Sequence, residues 1–511
     1  MKFEFNITEN ILIADCVYKC IKKISDKNLN GEIGYMRKFK LFIENFLIYG
    51  LGGIISRIVP LIMVPIVTRL MPDSKYFGVS DLSNTVIQFG SALAIMGMYD
   101  AMYRMFFEKD DIQYKKKICS TALIFTLVTS VIVFVIMLLA KNVIAQYFFG
   151  DRQYANIVYI TAIATLVGAT NNIISAPSRM QNKRKLFLVI NTVSPVLSYL
   201  IAIPLLLKGY YVIALPLSAV ISGITMEIAF GILNRDWFGW KQFDGELLKQ
   251  LLWIAIPLLP NFLIYWIFNS SDKIMITNMM NVGEAGIYSV GSKLGHASQL
   301  IYTAFAGGWQ YFAFSTMKEN DQVKTNSLIF EYLGIISFIT TMFICAWSSL
   351  IYKVLFVGEY VDGYIVSPYL FLAPLLQMLF QVAGNQFLVI KKTWPNMLIL
   401  SSGAMVNIIV NLTLIPVLGI EGAAIATLIG YVISDIACVI VLYKMNLMVI
   451  SRRFLTGTIL ITGYMVAWRM LFKENTVIGT SVSLIMTIVF LLLYKNDLMR
   501  VIQGIRKNNV R

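Results

Sequence analysis

The chain has 511 residues, of which 58% are hydrophobic and 14% are charged, and its formal net charge is +15. With a mean hydropathy of +0.71, it has too few polar side chains to coat a soluble globule, so the composition excludes a soluble protein and predicts an integral membrane protein. In such a protein the distribution of basic residues among the loops matters more than their sum, so the charge predicts no nucleic-acid partner.

The first 43 residues form an N-terminal extension that precedes the first long apolar run. Apolar residues between Ile11 and Ile24 recur at helical spacing opposite a lysine-rich face. This pattern predicts either a short amphipathic helix on the cytoplasmic membrane surface or an ordinary cytoplasmic tail. Cys16 and Cys20 lie four positions apart, but the five scattered cysteines form no framework, so we expect no metal and no cofactor.

About fourteen apolar runs follow, each near the length of about 20 residues that spans the hydrocarbon core of a bilayer. The predicted spans are 45–70, 79–103, 118–140, 155–177, 186–207, 211–233, 250–272, 284–312, 327–350, 364–388, 395–417, 420–443, 454–472 and 476–494. The connections between them are short, which leaves no room for a large catalytic loop. We therefore predict an all-α integral membrane protein with about 14 transmembrane helices.

The basic residues are distributed unequally between alternate loops. If the N-terminus is placed inside, 32 of the 43 lysines and arginines fall in inside loops and tails, and 9 fall in outside loops. Positive charge accumulates in cytoplasmic loops, so this asymmetry predicts that both termini are cytoplasmic.

The two halves of the chain contain a weak internal repeat. Residues 77–79 (Phe-Gly-Val) match residues 285–287 (Ala-Gly-Ile) at an offset of 208, and residues 183–184 match 391–392 at the same offset. Six helices per repeat give the halves one orientation, so cargo is expected between two pseudo-symmetric lobes. The predicted organisation is a cytoplasmic extension (1–43), an N-lobe with helices 1–6 (44–233), a cytoplasmic linker (234–249), a C-lobe with helices 7–12 (250–443), and helices 13–14 with a cytoplasmic tail (444–511).

The eighth predicted span has a polar side. The side chains that share this side are Ser289, Ser292, Lys293, His296, Gln299, Thr303 and Gln310. Such a helix must turn that side away from lipid, either against other polar helices or towards a water-filled cavity. Arg57 is the only arginine deep in a predicted span, and Lys293 lies at an equivalent depth in the second half. These two residues are predicted to bind an anionic cargo, with snorkelling to the interface as the alternative.

Other polar residues in the spans give further candidates. His296, Gln299 and Thr303, with Asn261 and Asn269 on the seventh span, are predicted to bind sugar hydroxyls, although hydrogen bonds between helices explain them equally well. Asp272 and Lys273 are predicted to form a structural ion pair. Three acids inside the spans, Asp435, Glu227 and Glu331, are candidates for coupling to a proton or sodium gradient.

Three stretches of the sequence resemble a known family. They are residues 45–80, 256–294 and 407–430, and the positions that carry the resemblance include Pro65, Arg69, Gly78, Pro257, Asp272 and the Gly286-Ile287-Tyr288-Ser289 run. As a set, they resemble the polysaccharide-type (Wzx-like) flippases of the multidrug/oligosaccharidyl-lipid/polysaccharide (MOP) exporter superfamily. The resemblance covers about residues 45 to 443 and does not include the N-terminal extension.

The resemblance implies two six-helix lobes arranged as a V, a central cavity that opens alternately to either side, and two additional C-terminal helices. It also implies a non-enzymatic flippase of the bacterial cytoplasmic membrane that exports oligosaccharide repeat units on an undecaprenyl-pyrophosphate-type carrier for O-antigen, capsule or exopolysaccharide. Membrane lipid and polysaccharide-assembly proteins are the expected partners. In related lipid II flippases, basic residues of the first and eighth helices line the cavity, which agrees with the choice of Arg57 and Lys293.

Two other functions compete with this interpretation. A MATE-type multidrug or cation antiporter of the same superfamily would suit an acidic or aromatic cavity, whereas both deep candidates here are basic. A membrane polymerase or transferase acting on lipid-linked sugars would need clustered acids or histidines, and the sequence has one histidine. No glycine-rich phosphate loop ending in Lys-Ser or Lys-Thr occurs, so an ATP site is not expected.

Overall fold

The computed structural model describes residues 58–181, 183–315, 321–392, 394–497 and 499. The N-terminal extension and Arg57 lie outside these residues. Within the described ranges the regular elements are all helical, and ten helices are long and apolar enough to cross a membrane, or eleven if a bent pair is counted as one span. The predicted class, an all-α multi-pass membrane protein, is confirmed. The number fourteen stays a prediction, because the helices of the predicted second and eighth spans do not meet this length and hydropathy criterion.

The N-lobe, residues 58–233, is built around a central helix. Its helices are α1 (Ile58–Leu70), α2 (Ser74–Ile95), α3 (Met98–Phe106), α4 (Ile112–Leu139), α5 (Lys141–Phe149), α6 (Ala155–Met180), α7 (Arg184–Leu207) and α8 (Ala214–Leu233). Helix α6 packs against α2, α4 and α8, and α7 packs against α8. Half of the α6 span is buried, compared with about a fifth of α4, so α6 lies inside the lobe while α4 turns a wide apolar face outwards.

The C-lobe, residues 259–444, follows a short helix, α9 (Gly245–Ala255). Its helices are α10 (Leu259–Met279), α11 (Val282–Gly295), α12 (Gln299–Ser315), α13 (Gln322–Leu355), α14 (Ser367–Val389), α15 (Trp394–Leu418) and α16 (Ile420–Lys444). Two helices, α17 (Arg452–Ala467) and α18 (Thr476–Leu493), end the described chain and pack on α13. Helix α14 is 78% buried over its apolar window and forms the centre of this lobe.

Prolines bend the seventh predicted span, as the sequence suggests. Pro257 and Pro260 have no backbone N–H to donate, so the helical hydrogen bonding weakens there, and α9 and α10 meet at 43° across a three-residue turn. The two halves of the span pack on different lobes. Leu251 and Ala255 of α9 are buried against α3 and α4, whereas Phe268 of α10 stacks on α16. One span therefore connects the N-lobe with the C-lobe.

Two other predicted spans are broken rather than continuous. The predicted span 79–103 contains a break at Met96 and Gly97, whose φ angles of 49° and 76° lie in the left-handed region. A Cβ on Gly97 would lie 2.6 Å from the carbonyl oxygen of Ala255, so α9 packs directly on this break. The predicted span 284–312 contains a 3₁₀ turn, residues 296–298, between α11 and α12. There, Ser298 donates a hydrogen bond to the Phe371 carbonyl oxygen at 2.7 Å, which fixes the break against α14.

Short polar side chains cap the helix starts. The capping residues are Asp73 for α2, Asp111 for α4, Asp244 for α9, Asn281 for α11, Ser451 for α17 and Asn475 for α18. Each accepts a hydrogen bond from one or two backbone N–H groups that have no partner in the first helical turn. The pKa of the Asp244 carboxyl group is lowered, mainly by the hydrogen bond that it accepts from the backbone N–H of Leu247. Polar residues at these positions thus decide where the helices begin.

The two lobes meet where α2 crosses α11, and the crossing is reciprocal. A Cβ on Gly78 would lie 2.1 Å from the Val282 carbonyl oxygen, and a Cβ on Gly286 would lie 2.1 Å from the Ser74 carbonyl oxygen. Gly286 and Val282 follow Gly78 and Ser74 by the same 208 positions that define the repeat. Equivalent residues that contact each other in this way lie beside a two-fold axis. Only glycine lets the two backbones approach so closely.

Candidate functional site

A buried carboxylate from the N-lobe meets two lysines from the C-lobe just beyond this crossing. Asp81 of α2 accepts hydrogen bonds from Lys273 of α10 at 2.5 Å and from Lys293 of α11 at 2.8 Å. The hydroxyl group of Ser289, the residue equivalent to Asp81 in the repeat, donates to the same carboxylate at 2.9 Å. The Asp81 side chain is 3% exposed, so solvent hardly reaches it. The two lysines neutralise its negative charge instead.

A cavity of about 290 Å³ opens beside this cluster. Its lining includes Pro60, Asp81, Asn84, Ser198, Tyr199 and Lys293, which come from α1, α2, α7 and α11. The Lys293 side chain is 36% exposed, compared with 16% for Lys273, so the ammonium group of Lys293 is the more accessible of the two. The cavity is thus lined by α1, α2, α7 and α8 of the N-lobe, and among its described lining residues Lys293 alone comes from the C-lobe. Its volume is at the lower limit of small-molecule sites, which suits a headgroup rather than a whole oligosaccharide.

The other residues of the predicted polar face lie in different surroundings. His296 lies close enough to Lys273, Lys293 and Asp81 to interact electrostatically with all three. Thr303 donates a hydrogen bond to the Gln299 carbonyl oxygen in its own helix at 2.7 Å. The structure thus brings Lys293 and His296 together beside Asp81.

Two asparagines of the seventh span were also candidates for sugar binding. Asn269 is exposed and donates to the Tyr265 carbonyl oxygen at 2.7 Å within α10. The Asn261 side chain is outside the described set, as is the side chain of Gln310. The assignment of these residues to sugar binding stays a prediction.

The predicted ion pair between Asp272 and Lys273 is wrong. Neighbouring residues on a helix point about 100° apart, so Lys273 turns towards the N-lobe while Asp272 turns into the C-lobe. There the carboxylate accepts hydrogen bonds only from uncharged groups of the described residues. These donors are Tyr288 at 2.6 Å, Asn411 at 2.7 Å, Asn407 at 3.3 Å, and Thr427, which makes a short contact.

This cluster around Asp272 is rich in oxygen atoms, and no lysine or arginine of the described residues donates to its carboxylate. The Asn407 side-chain oxygen accepts from Ser271 at 3.0 Å. The Asn411 side-chain oxygen is buried and has no hydrogen-bond partner among the described residues. Carboxylate, amide and hydroxyl oxygens are the ligands that hard cations prefer, and a proton would also neutralise the charge. Within the described chain, no group of three or more His, Cys, Asp or Glu residues could hold a metal ion.

The three acids predicted to couple to an ion gradient lie in different surroundings. Glu331 in α13 accepts hydrogen bonds from the backbone and hydroxyl group of Ser451, both at 2.7 Å, and lies 3.6 Å from Arg453, so it ties α17 to α13. Glu227 in α8 accepts a hydrogen bond from Thr170 at 2.6 Å and lines a cavity of about 190 Å³ within the N-lobe. Asp435 in α16 is buried, and neither carboxylate oxygen has a hydrogen-bond partner among the described residues.

A wide apolar groove runs between the C-lobe and the C-terminal pair of helices. It has a volume of about 770 Å³ and is lined mainly by aliphatic and aromatic side chains of α14, α16 and α17. Its polar lining includes Asp435 and the ion pair between Glu421 and Arg469, whose atoms are 2.5 Å apart. The groove is long and apolar enough to accept a hydrocarbon chain.

Further contacts close the end of the molecule where α1 meets α2. Three hydrogen bonds join the lobes at this end: Arg69 to the Val354 carbonyl oxygen at 3.1 Å, Ser74 to the Glu359 carboxylate at 2.9 Å, and Tyr360 to the Asp73 carbonyl oxygen at 3.2 Å. Together with the glycine crossing and the Asp81 cluster, they form what we call the closed end. Cargo held beside Lys293 can leave on this side only if these contacts break.

Sequence reasoning missed Asp81 and the neutral partners of Asp272. The signal for Asp81 was available, because it is the repeat equivalent of Ser289, the first residue of the polar face. The signal for the second cluster was the i, i+4 pair Asn407 and Asn411 in an otherwise apolar span, which places two amides on one face of a helix.

Comparison with known proteins identifies the family. The family model described as "Polysaccharide biosynthesis protein" matches residues 66–364, which is more than half of the chain. The chain belongs to this family. The match includes α2, α10 and α11 in full, so the Asp81 cluster lies within the part that defines the polysaccharide biosynthesis family. No curated protein matches the chain.

Solved structures with the same fold are membrane transporters. The lipid II flippase MurJ in an inward closed conformation is 15% identical and superposes with a TM-score of 0.68, covering 88% of this chain and 100% of that one. An inward-facing multidrug resistance MATE family transporter of the MOP superfamily is 15% identical, with a TM-score of 0.57 and coverage of 80% and 98%. A MOP superfamily transporter from Pyrococcus furiosus, described as having a binding pocket of reverse polarity, is 14% identical, with a TM-score of 0.56 and coverage of 83% and 96%.

At these identities the likeness shows the fold. It confirms an all-α membrane fold of the MurJ and MATE type, and together with the family match it confirms the recognition of a polysaccharide-type member of the MOP superfamily. Which cargo this member moves is a separate question, because MurJ and the MATE transporters share one fold and differ in the cargo that their names state.

Proposed function

We propose that this protein is a flippase that moves lipid-linked oligosaccharide repeat units across the bacterial cytoplasmic membrane by alternating access. The observation that carries the proposal is Lys293 of the C-lobe, whose partly exposed side chain reaches a cavity lined by N-lobe helices. A diphosphate headgroup cannot cross dry hydrocarbon without cationic partners, because dehydrating its charge costs tens of kcal/mol in a medium of low dielectric constant. The family match to polysaccharide biosynthesis supports an oligosaccharide rather than another anionic lipid.

The apolar groove supports a cargo that carries a lipid tail. A polyprenyl chain lying between α14, α16 and α17 would remain in an apolar environment while its headgroup enters the cavity beside Lys293. The distribution of basic residues favours a cytoplasmic N-terminus, and with that orientation the closed end faces outwards. The conformation then accepts cargo from the cytoplasmic leaflet. Polysaccharide-assembly proteins would supply and consume the repeat unit, and the chain itself would act as a transporter without an enzymatic step.

The basic cavity disfavours a multidrug or cation antiporter. Two lysines and one aspartate leave a net positive charge at the described site, which repels an organic cation. Arg57, which lies outside the described residues, would add to this charge if it faces the same cavity.

We propose the Asp272 cluster as the site where a proton or a sodium ion couples to transport. Its carboxylate has no cationic partner among the described residues, and its donors all come from the C-lobe, so the site persists whichever way the lobes open. This site takes precedence over Asp435, Glu227 and Glu331. Dissipating the proton or sodium gradient in proteoliposomes should slow transport, and an unchanged rate with both gradients removed would exclude coupling.

Substitution of Lys293 tests the transport proposal most directly. In Lys293→Gln we expect lipid-linked oligosaccharide to accumulate on the inner leaflet and surface polysaccharide to fall about 100-fold, the effect of losing one or two charge-assisted hydrogen bonds to the cargo. Lys353→Gln is the matched control, because Lys353 is an exposed lysine in the last turn of α13 and makes no salt bridge with the described residues. Normal surface polysaccharide in Lys293→Gln, at wild-type protein levels in the membrane, would contradict the site assignment.

A further inference from the structure

The Asp81 carboxylate binds the same ammonium groups that are available to bind a phosphate group. One oxygen accepts from Lys293 at 2.8 Å, and the other accepts from Lys273 at 2.5 Å and from Ser289 at 2.9 Å. Both oxygen atoms of this anion are therefore bound to the cations of the opposite lobe. Because Lys293 also opens onto the cavity, a headgroup that enters must compete with Asp81 for this ammonium group.

The charges of the cluster determine which headgroup can compete. Two ammonium groups and one carboxylate leave one unbalanced positive charge at the site. A phosphodiester lipid, such as phosphatidylglycerol, carries one negative charge and can at best equal Asp81, which is tethered beside the lysines and so has the higher effective concentration. A diphosphate brings two or more negative charges and gains about twice the Coulomb attraction to the same cations.

We propose that Asp81 is a specificity-determining residue: its carboxylate holds both lysines in the absence of cargo and yields them only to a headgroup with two or more negative charges. This inference rests on the proposed function, since it concerns the same cavity and the same cargo. Its consequence is discrimination against the anionic phospholipids of the bilayer. These lipids share the phosphate chemistry of the cargo, and they are present in large excess over any lipid-linked sugar.

Displacement of Asp81 also connects cargo binding to opening. Asp81 belongs to α2 and the lysines belong to the C-lobe, so this ion pair is one of the contacts that hold the closed end together. A carboxylate that has been displaced from its lysines is a buried charge without a partner, and this state is unfavourable as long as water cannot reach the carboxylate. Separation of α2 from α11 would admit water and hydrate the Asp81 carboxylate. A diphosphate therefore favours opening, and a lipid with a single charge leaves the closed end intact.

Binding measurements on the purified full-length chain in detergent test the specificity directly. Farnesyl diphosphate serves as the soluble diphosphate probe, and phosphatidylglycerol in the same micelles serves as the competitor with one charge. For the wild-type protein we expect farnesyl diphosphate to bind, and a tenfold molar excess of phosphatidylglycerol to leave its Kd unchanged. In Asp81→Asn the freed lysines should bind farnesyl diphosphate about 10-fold more tightly, and the same excess of phosphatidylglycerol should weaken that binding at least threefold.

Two controls separate this inference from the proposed function. Glu284→Gln removes a half-buried carboxylate at the start of α11 that contacts neither lysine, and it should bind both probes as the wild type does. Lys293→Gln should lose farnesyl diphosphate binding. If Asp81→Asn binds farnesyl diphosphate no more tightly than the wild type and phosphatidylglycerol still fails to compete, the inference is wrong and the flippase proposal stands. If the wild type binds no farnesyl diphosphate, the flippase proposal itself fails.

A cross-linking experiment keeps the inference testable even if Asp81→Asn does not fold. A Cβ on Gly283 of α11 would lie 3.0 Å from the Ser74 hydroxyl oxygen across the closed end, which is the separation between a Cβ and the partner sulfur in a disulfide. Ser74→Cys with Gly283→Cys should therefore form a disulfide in a chain whose five native cysteines are replaced by serine. With Asp81 intact, farnesyl diphosphate should slow the formation of this disulfide about threefold or more, and phosphatidylglycerol should not. Equal slowing by the two lipids, or slowing by neither, would overturn the inference.

Discussion

Asp81 at the lobe interface and Asp272 inside the C-lobe are both buried carboxylates, but they are stabilised in different ways. Asp81 is paired with two lysines that belong to the opposite lobe. Asp272 accepts hydrogen bonds from four uncharged groups of its own lobe. The first arrangement exists only while the lobes are together at this end. The second is independent of how the lobes are oriented.

This difference suggests a division of tasks. An interaction that exists in one conformation and not in the other can bias the equilibrium between them, whereas an interaction common to both cannot. Displacement of Asp81 from its lysines can therefore connect the binding of cargo to the opening of the closed end. An ion at Asp272 can affect the equilibrium only through a change inside the C-lobe that makes its donors differ between the two states.

The largest effect on transport is expected at the glycine crossing, where Gly78 of α2 meets Gly286 of α11. The Asp81 cluster depends on this contact between the lobes, whereas the Asp272 cluster lies inside the C-lobe. Gly78→Val would place its Cβ about where the Val282 carbonyl oxygen stands, so α2 and α11 must separate. Overpacking of this kind costs about 1–3 kcal/mol, enough to shift the balance between closed and open forms by about 5- to 150-fold. We expect transport to fall by a similar factor and the disulfide between positions 74 and 283 to form slowly.

The matched control for this crossing is Gly231→Val. Gly231 lies in α8, and a Cβ there would meet no atom within 4 Å, so the same change should leave transport unchanged. Rapid disulfide formation in Gly78→Val would show that the reciprocal contact does not hold the closed end together.

The second effect separates the two aspartates. Asp272→Asn removes the charge while keeping the shape, so the coupling ion should no longer bind. A coupling free energy of 1–3 kcal/mol corresponds to a loss of about 5- to 150-fold in gradient-driven transport. Farnesyl diphosphate binding and the disulfide rate at the closed end should stay at wild-type values, because the lobe interface is not altered. A change in either of these readouts would mean that the two clusters are not independent.

The contrast between the clusters also explains what the sequence could predict. Lys293 could be found because a lysine in an apolar span must reach an anion or water, whatever the tertiary structure. Asp81 is near the start of its predicted span, where an acid is unremarkable, and its partners lie about 190 and 210 positions away. Only the repeat, which pairs position 81 with 289, connects the two in sequence.

The error at Asp272 has a related cause. Adjacent opposite charges suggest an ion pair in sequence, but on a helix they face different neighbours, and here these neighbours are different lobes. The fold class and the repeat could be predicted because composition and periodicity extend over hundreds of residues. The breaks at Met96 and at residues 296–298 could not, because each packs against a helix that is distant in sequence.

The smallest effect is expected at Asp435, a third buried acid that has neither the lysines of Asp81 nor the donors of Asp272. Its carboxyl oxygens have no partner among the described residues, and it lies in the apolar lining of the groove. A buried polar group without a partner destabilises the fold by about 1–3 kcal/mol, so Asp435→Leu should raise the Tm of the detergent-purified protein by a few degrees. Transport should remain within about twofold of wild type. A loss of more than tenfold, with the ion dependence also abolished, would instead transfer the coupling role from Asp272 to Asp435.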